Sequence, residues 1–196
     1  HPPSFSMKKY LEKIISELHQ IQGPIIIGIS GFGGAGKSTF AKMLSKELEA
    51  PIVGVDSFSK SKVHENYELW DVMDFQRIES EVIQPFLSAE KTIEYGEFDW
   101  ELDHIKEKSS FENNGLIIIE GVGLFRPSLN KYFNYKIWVE CSVNEAIKRG
   151  KKRDREDYGN PQDEYWDGIW KKNDSEYFDE FQPKENVDLV VNNSEF

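Results

Sequence analysis

The chain has a single cysteine, Cys141, in 196 residues. That excludes an intramolecular disulfide and a zinc site built on cysteine pairs. Positive charge is scarce: 24 Lys and Arg stand against 35 Asp and Glu, a formal net charge of −11. Broad nucleic-acid binding needs a basic footprint that displaces counterions, so no nucleic-acid partner is expected. Long apolar runs are missing as well. Stretches such as Ile25-Ile26-Ile27 and Leu116-Ile117-Ile118-Ile119 fall far short of the roughly 20 residues of a membrane-spanning helix, so no membrane partner is expected. Residues 1–6 lack the basic start, apolar centre and cleavage site of a secretory signal. They are set aside as a tail or scar ahead of Met7, and a cytoplasmic protein is expected. No repeat, low-complexity tract or Gly/Ser-rich linker divides residues 7–196, which read as a single domain. What the chain does have is 26 aromatic residues, too many for a solvated acidic coil.

Residues 8–22 place Leu11, Ile14, Ile15 and Leu18 at helical spacing, and Gly23-Pro24 ends that helix. Ile25–Ser30 then reads as a strand buried on both faces, a continuous apolar run rich in β-branched residues. Similar runs recur at 52–55, 116–119, 135–139 and 187–191, and helical patterns fill about 37–49, 74–89, 142–153 and 163–181. Alternating strands and helices predict an α/β fold with a five-stranded parallel sheet flanked by helices in three layers. Residues 57–115 are too long for a plain crossover and form an insert. Extra loops at the carboxyl ends of parallel strands are where such folds hold ligands, so the insert is the first candidate for acceptor binding.

The strongest local signal is Gly31-Phe32-Gly33-Gly34-Ala35-Gly36-Lys37-Ser38-Thr39, the G-x-x-x-x-G-K-[ST] pattern between a buried strand and an amphipathic helix. Glycines let the backbone curl so that several N–H groups face one anion, and the helix N-terminus adds its positive dipole. Gly31, Gly33, Gly34, Ala35, Gly36, Lys37, Ser38 and Thr39 are therefore candidate phosphate binders, with Lys37 reaching the β- and γ-phosphates and Ser38 ligating Mg²⁺. The Asp-x-x-Gly and Asn-Lys-x-Asp motifs of a GTPase switch are absent. Asp56 and Glu120 each follow a predicted strand and would project at the same sheet edge as the loop. Phosphoryl transfer to a hydroxyl needs a carboxylate near the acceptor oxygen and a means of holding Mg²⁺, and these two acids suit both tasks.

Taken with Val55-Asp56-Ser57-Phe58, Trp70–Phe75, Phe98-Asp99-Trp100, Ile119-Glu120-Gly121 and Lys151-Lys152-Arg153-Asp154, the sequence resembles the uridine kinase and phosphoribulokinase group of P-loop kinases, and also nicotinamide riboside kinases. The resemblance covers most of residues 24–192. It implies a P-loop NTPase fold with a lid, and ATP and Mg²⁺ as cofactors. Asp56 would be the base that takes the acceptor proton and would also lie near the metal. Glu120 would join Ser38 in holding Mg²⁺, Asp71 would bind sugar hydroxyls, and Phe98 and Trp100 would lie over the base. One departure falls at the base contact: uridine kinases carry a Tyr-Asp-Phe run with a His three residues on, whereas Phe98 replaces the Tyr and Asp103 stands at the His position. An ionised carboxylate cannot donate to a uracil carbonyl.

Residues 148–155 hold six cations in an acidic chain. The resemblance makes 149–161 a lid that closes over the triphosphate, with Arg153 as its catalytic arginine and Arg149 a weaker nucleotide contact. Tyr165, Trp166, Ile169, Trp170, Tyr177, Phe178 and Phe181 lie at helical spacing and read as packing against the sheet, as do Trp138 and Cys141. The expected activity is ATP-dependent phosphoryl transfer to a small-molecule hydroxyl, most simply the 5′-hydroxyl of a nucleoside or ribosyl compound. A kinase for a pantothenate- or sugar-phosphate-type metabolite and a non-catalytic ATP-binding switch are the alternatives.

Overall fold

The computed structural model describes residues 4–61 and 66–193. Residues 1–3 of the expected tail and 62–65 of the insert lie outside them. Helix α1 runs Phe5–Leu18, starting two residues ahead of Met7. Ser4 caps it by accepting from the Met7 N–H, which satisfies one of the first-turn donors that has no partner within the helix. Met7, Leu11, Ile14 and Leu18 form its buried stripe.

Five parallel strands build the main sheet: β1 (Ile25–Gly31), β2 (Ile52–Gly54), β5 (Leu116–Glu120), β6 (Tyr135–Glu140) and β7 (Leu189–Asn192), in the order β2-β5-β1-β6-β7. Ile26, Ile27, Ile29 and Ile117–Ile119 are fully buried. This matches the unbroken apolar runs, because a central parallel strand has no solvent face and needs no alternation. Each such side chain contributes roughly 1.5–3 kcal/mol by leaving water. Helix α2 (Lys37–Leu48) follows β1, and α5 (Val143–Glu156) follows β6. The predicted helix over 163–181 is two helices, α6 (Asp163–Asp167) and α7 (Ile169–Phe181), broken at Gly168. The one over 74–89 runs α3 (Phe75–Arg77), a π-helical turn (Ile78–Ile83) and α4 (Gln84–Leu87).

Much of the insert is a hairpin that the sequence pattern does not reveal: β3 (Thr92–Asp99) paired antiparallel with β4 (His104–Glu112). Two features hide it. A register shift between Glu97 and Phe98 breaks the period of two after Ile93 and Tyr95. Most of β4 is exposed, so it carries almost no apolar alternation. The hairpin is docked from one side. Tyr95 stacks on Phe58, and Arg77 donates to Gly96 O at 2.8 Å while Glu81 accepts from Gly96 N at 3.0 Å.

Candidate functional site

Three chain segments meet at the carboxyl edge of the sheet because their strands are neighbours. Glu120, the last residue of β5, is in register with Ile29 of β1 and Gly54 of β2. The phosphate loop leaves β1 two residues on from Ile29, and Asp56 lies two residues beyond Gly54. Gly121 allows this closeness, since a Cβ there would sit 2.3 Å from Val55 Cβ.

The loop has the predicted curl. Gly34 and Gly36 have φ of 84° and 102°. These left-handed values favour glycine. A Cβ on Gly34 would lie 2.0 Å from Ala146 O in α5, so the loop packs directly on that helix. Helix α2 begins at Lys37 with no side-chain cap on its first N–H groups. Uncapped donors at a helix start, with the positive end of the dipole behind them, are an anion-binding arrangement. Lys37 is buried, and its Nζ donates to Phe32 O at 2.8 Å. Burial lowers its pKa, opposed by the charges of Glu120, Asp174 and Asp56, while Arg153 lowers it further. Ser38 and Thr39 are exposed at the head of the helix.

Glu120 is pushed up to about 7 by burial and by the charge of Asp56, with Lys37 and Lys42 pulling the other way. Asp56 and Glu120, two carboxylates close enough for their charges to repel, offer hard oxygen donors at this edge of the sheet. That chemistry fits Mg²⁺, which takes one or two carboxylates and fills its remaining positions with water and phosphate oxygens.

Segment 69–74 carries Asp71, the predicted acceptor contact. Lys60 N donates to Val72 O and Asp74 N to Phe58 O, clipping it to the chain just after Asp56. Asp71 is exposed, with its carboxylate 3.2 Å from Arg126 Nη1. Arg126 is itself buried. It donates to Gly123 O and Leu69 O and lies over the Phe75 ring, 3.7 Å from its centroid. The hairpin tip presents Trp100, 39% exposed, whose Nε1 donates to Asp56 O at 3.2 Å. Phe98 is buried and meets Trp100 edge to face, so Trp100 is the ring that faces outward. Asp103 sits in the hairpin turn at φ 56° and accepts from Ser61 Oγ at 2.9 Å.

The cation run 148–155 is helical along α5, and 157–162 form the connection that follows. Arg149 pairs with Glu145 at 3.2 Å. Arg153 lies over Tyr158 and Trp166, near enough to Lys37 for their charges to repel. Tyr177 is buried in the core as the aromatic spacing predicts, with Trp170 and Phe178 half-buried against it; Trp166 is buried against Gly150 of α5 instead of the sheet, and Tyr165 is 42% exposed. Trp138 and Cys141 are buried in and just after β6. Tyr177 also ties the site together: its hydroxyl accepts from Phe125 N and is 3.0 Å from Ser30 Oγ, which donates to Gly121 O. Two further residues escape the sequence reading, Arg126 and Asp174. The only local hint of Arg126 is a lone cation in the apolar stretch 121–129, and Asp174 is one acid among many in α7.

The sheet order and the glycine loop between β1 and α2 define a P-loop nucleotide-binding fold. Residues 27–179 match a family model described as an AAA domain. Uridine kinase from Alkaliphilus metalliredigens is 30% identical over 149 residues, spanning 69% of this chain and 71% of its own length. Uridine kinase from Serratia proteamaculans is 29% identical over 161 residues, 71% and 72% of the two chains. Among solved structures, one described as a possible uridine kinase from Bacillus stearothermophilus superposes with a TM-score of 0.70 at 19% identity, over 95% of this chain and all of the other. D-glycerate 3-kinase from Cryptococcus neoformans gives 0.66 at 12%, over 97% and 96%. The chain belongs to the uridine kinase-like family of P-loop kinases and is a small-molecule kinase. No helix among the described residues is long and apolar enough to cross a membrane.

Proposed function

We propose that the protein transfers the γ-phosphate of ATP, with Mg²⁺, to the 5′-hydroxyl of a nucleoside or similar ribosyl compound. The observation that carries this reading is the placement of Asp56 and Glu120 on adjacent strand ends beside the phosphate loop, with the Trp100 indole reaching Asp56 from the hairpin. A module that only binds nucleotide has no need of both acids and an acceptor wall.

Residues 31–39 would cradle the triphosphate, and Lys37 would exchange Phe32 O for the β- and γ-phosphate oxygens. Ser38, Glu120 and Asp56 would hold Mg²⁺, which when bound neutralises phosphate charge. Asp71 would take sugar hydroxyls and Trp100 would cover the base, with Phe98 supporting it from beneath. Asp103 would line the far wall of the acceptor site. Asp56 would accept the proton of the attacking hydroxyl as its oxygen bonds to the γ-phosphorus and the bond from that phosphorus to the β–γ bridging oxygen breaks, releasing ADP. Arg153 would bring a positive charge to the transferring group, and Arg149 would add to the field at the nucleotide.

The test is ADP release from ATP across a panel of uridine, cytidine, adenosine, nicotinamide riboside and pantothenate. Release that depends on a nucleoside is expected, and Asp56→Asn should lower it by roughly 10²–10⁴-fold while ADP still binds. Release independent of every acceptor, or an Asn variant with wild-type turnover, would overturn the assignment.

A further inference from the structure

Asp174, in the middle of α7, is 5% exposed and plays no part in the chemistry above. Its two carboxylate oxygens face opposite halves of the site. Oδ2 accepts from the Gly33 N–H in the phosphate loop at 2.8 Å. Oδ1 accepts from Trp70 Nε1 at 2.9 Å, and Trp70 immediately precedes Asp71.

The placement is costly on electrostatic grounds. A buried anion beside a loop that takes phosphate repels the ligand and must also be desolvated. What it gains is geometric: one rigid side chain spans the nucleotide loop and the acceptor segment. The neighbouring residue does related work, since Asn173 Oδ1 accepts from Trp70 N at 2.6 Å and its Nδ2 donates to Tyr67 O at 3.1 Å. Leu69 and Trp70 need such support, with φ of 51° and 62°. Left-handed backbone costs a non-glycine residue roughly 1–2 kcal/mol. Segment 67–70 therefore takes its conformation from α7, and α7 also holds the loop.

We propose that Asp174 is a positioning residue that couples the two substrate sites, so that occupancy of the phosphate loop is transmitted through Gly33, Asp174 and Trp70 to the segment bearing Asp71. This deepens the kinase reading and rests on it. When phosphate binding moves the Gly33 amide, the carboxylate follows, and the indole on its other oxygen moves with it.

The test is ADP titration followed by the ¹⁵N–¹H indole resonance of Trp70, assigned by its loss in Trp70→Phe. In the wild type the Trp70 indole should shift with ADP occupancy. In Asp174→Asn, which offers one acceptor oxygen in place of two, that shift should shrink by about threefold or more. ADP should still bind there, because removing the negative charge beside the loop offsets the lost Gly33 contact. A purely structural role would lower the melting temperature and leave the indole response intact. Should the Asn variant fail to fold, Trp70→Phe provides the second reading: it removes one donor, and its ADP affinity should fall by about threefold if the sites are linked. Saturation of the wild type with ADP while the Trp70 indole stays fixed overturns the coupling, as does an unchanged response in Asp174→Asn or unchanged affinity in Trp70→Phe. Failure of the wild type to bind ADP at all overturns the phosphate-loop reading beneath it.

Discussion

The indole of Trp100, at the tip of the β3–β4 hairpin, donates to the backbone carbonyl of Asp56 at 3.2 Å. The hairpin and the strand-end acid are separated by 44 residues, and the contact sets a partly exposed aromatic ring beside the proposed base. Because the bond runs to the main chain, the Asp56 carboxylate stays available for chemistry.

Trp100→Ala should therefore act on the acceptor and spare the nucleotide. Stacking of a base on an aromatic side chain is worth about 1–3 kcal/mol. The acceptor KM should rise by the corresponding roughly 5- to 150-fold, with ADP affinity unchanged by calorimetry. Equal loss of both affinities would place Trp100 in the scaffold.

Gly34→Ala tests the loop itself. The new methyl would need the space of Ala146 O, 2.0 Å away, at a φ of 84°. Either the loop moves off α5 or the helix gives way. ADP binding should be lost while circular dichroism stays helical, and the melting temperature should fall by several degrees, the size expected for a loss of about 2 kcal/mol.

Arg126 and Asp71 should separate when mutated singly. Arg126 is buried among carbonyls and aromatic rings, so Arg126→Met strips hydrogen bonds from Leu69 O and Gly123 O. The expected cost is about 2–4 kcal/mol in chemical unfolding, from unsatisfied buried acceptors and lost packing. Asp71 is 61% exposed. Its side of the pair should be worth about 1 kcal/mol or less. Asp71→Asn should thus leave stability nearly intact and raise the acceptor KM.

The Asp174 carboxyl is pushed up to about 6, first by burial, against the pull of Lys37 and of its Gly33 and Trp70 donors. The groups that interact with it are Lys37 from α2, Tyr67 from the segment that Asn173 holds and Tyr177 one turn along α7. The folded state holds this proton more tightly than the unfolded chain, whose ordinary value is 3.8. Its contribution to stability is complete below that pH and is lost as pH rises through about 6. The span corresponds to up to about 3 kcal/mol. Carboxyl ¹³C shifts should give a midpoint near 6 for Asp174; a midpoint at or below 4 would contradict the burial argument.

Much of the frame was legible along the chain. Ile25–Ile29 and Leu116–Ile119 read as buried strands because an interior parallel strand has only apolar neighbours, and that leaves an unbroken local mark. The phosphate loop was equally plain, since its backbone turns on residues within nine positions of one another. The β3–β4 hairpin was not, because a register shift disrupts one strand's alternation and solvent surrounds the other. Nor was the early start of α1, which depends on Ser4 as a cap.

The amino-acid order alone settles the α/β alternation, the glycine loop and the presence of acids at strand ends, all of which arise from interactions between near neighbours. It cannot settle which acid faces which partner. Asp56 meets Trp100 and Glu120 only through strand adjacency and hairpin docking. Arg126 reaches Asp71 across 55 residues, and Asp174 reaches Gly33 across 141 and Trp70 across 104. An acid in the run 156–181 has the same local surroundings whether it ends in water or in the interior. Only the packing of α7 against the phosphate loop buries Asp174 and leaves Asp179 and Glu180 of the same helix exposed, and burial separates a surface charge from a group that can link two binding sites.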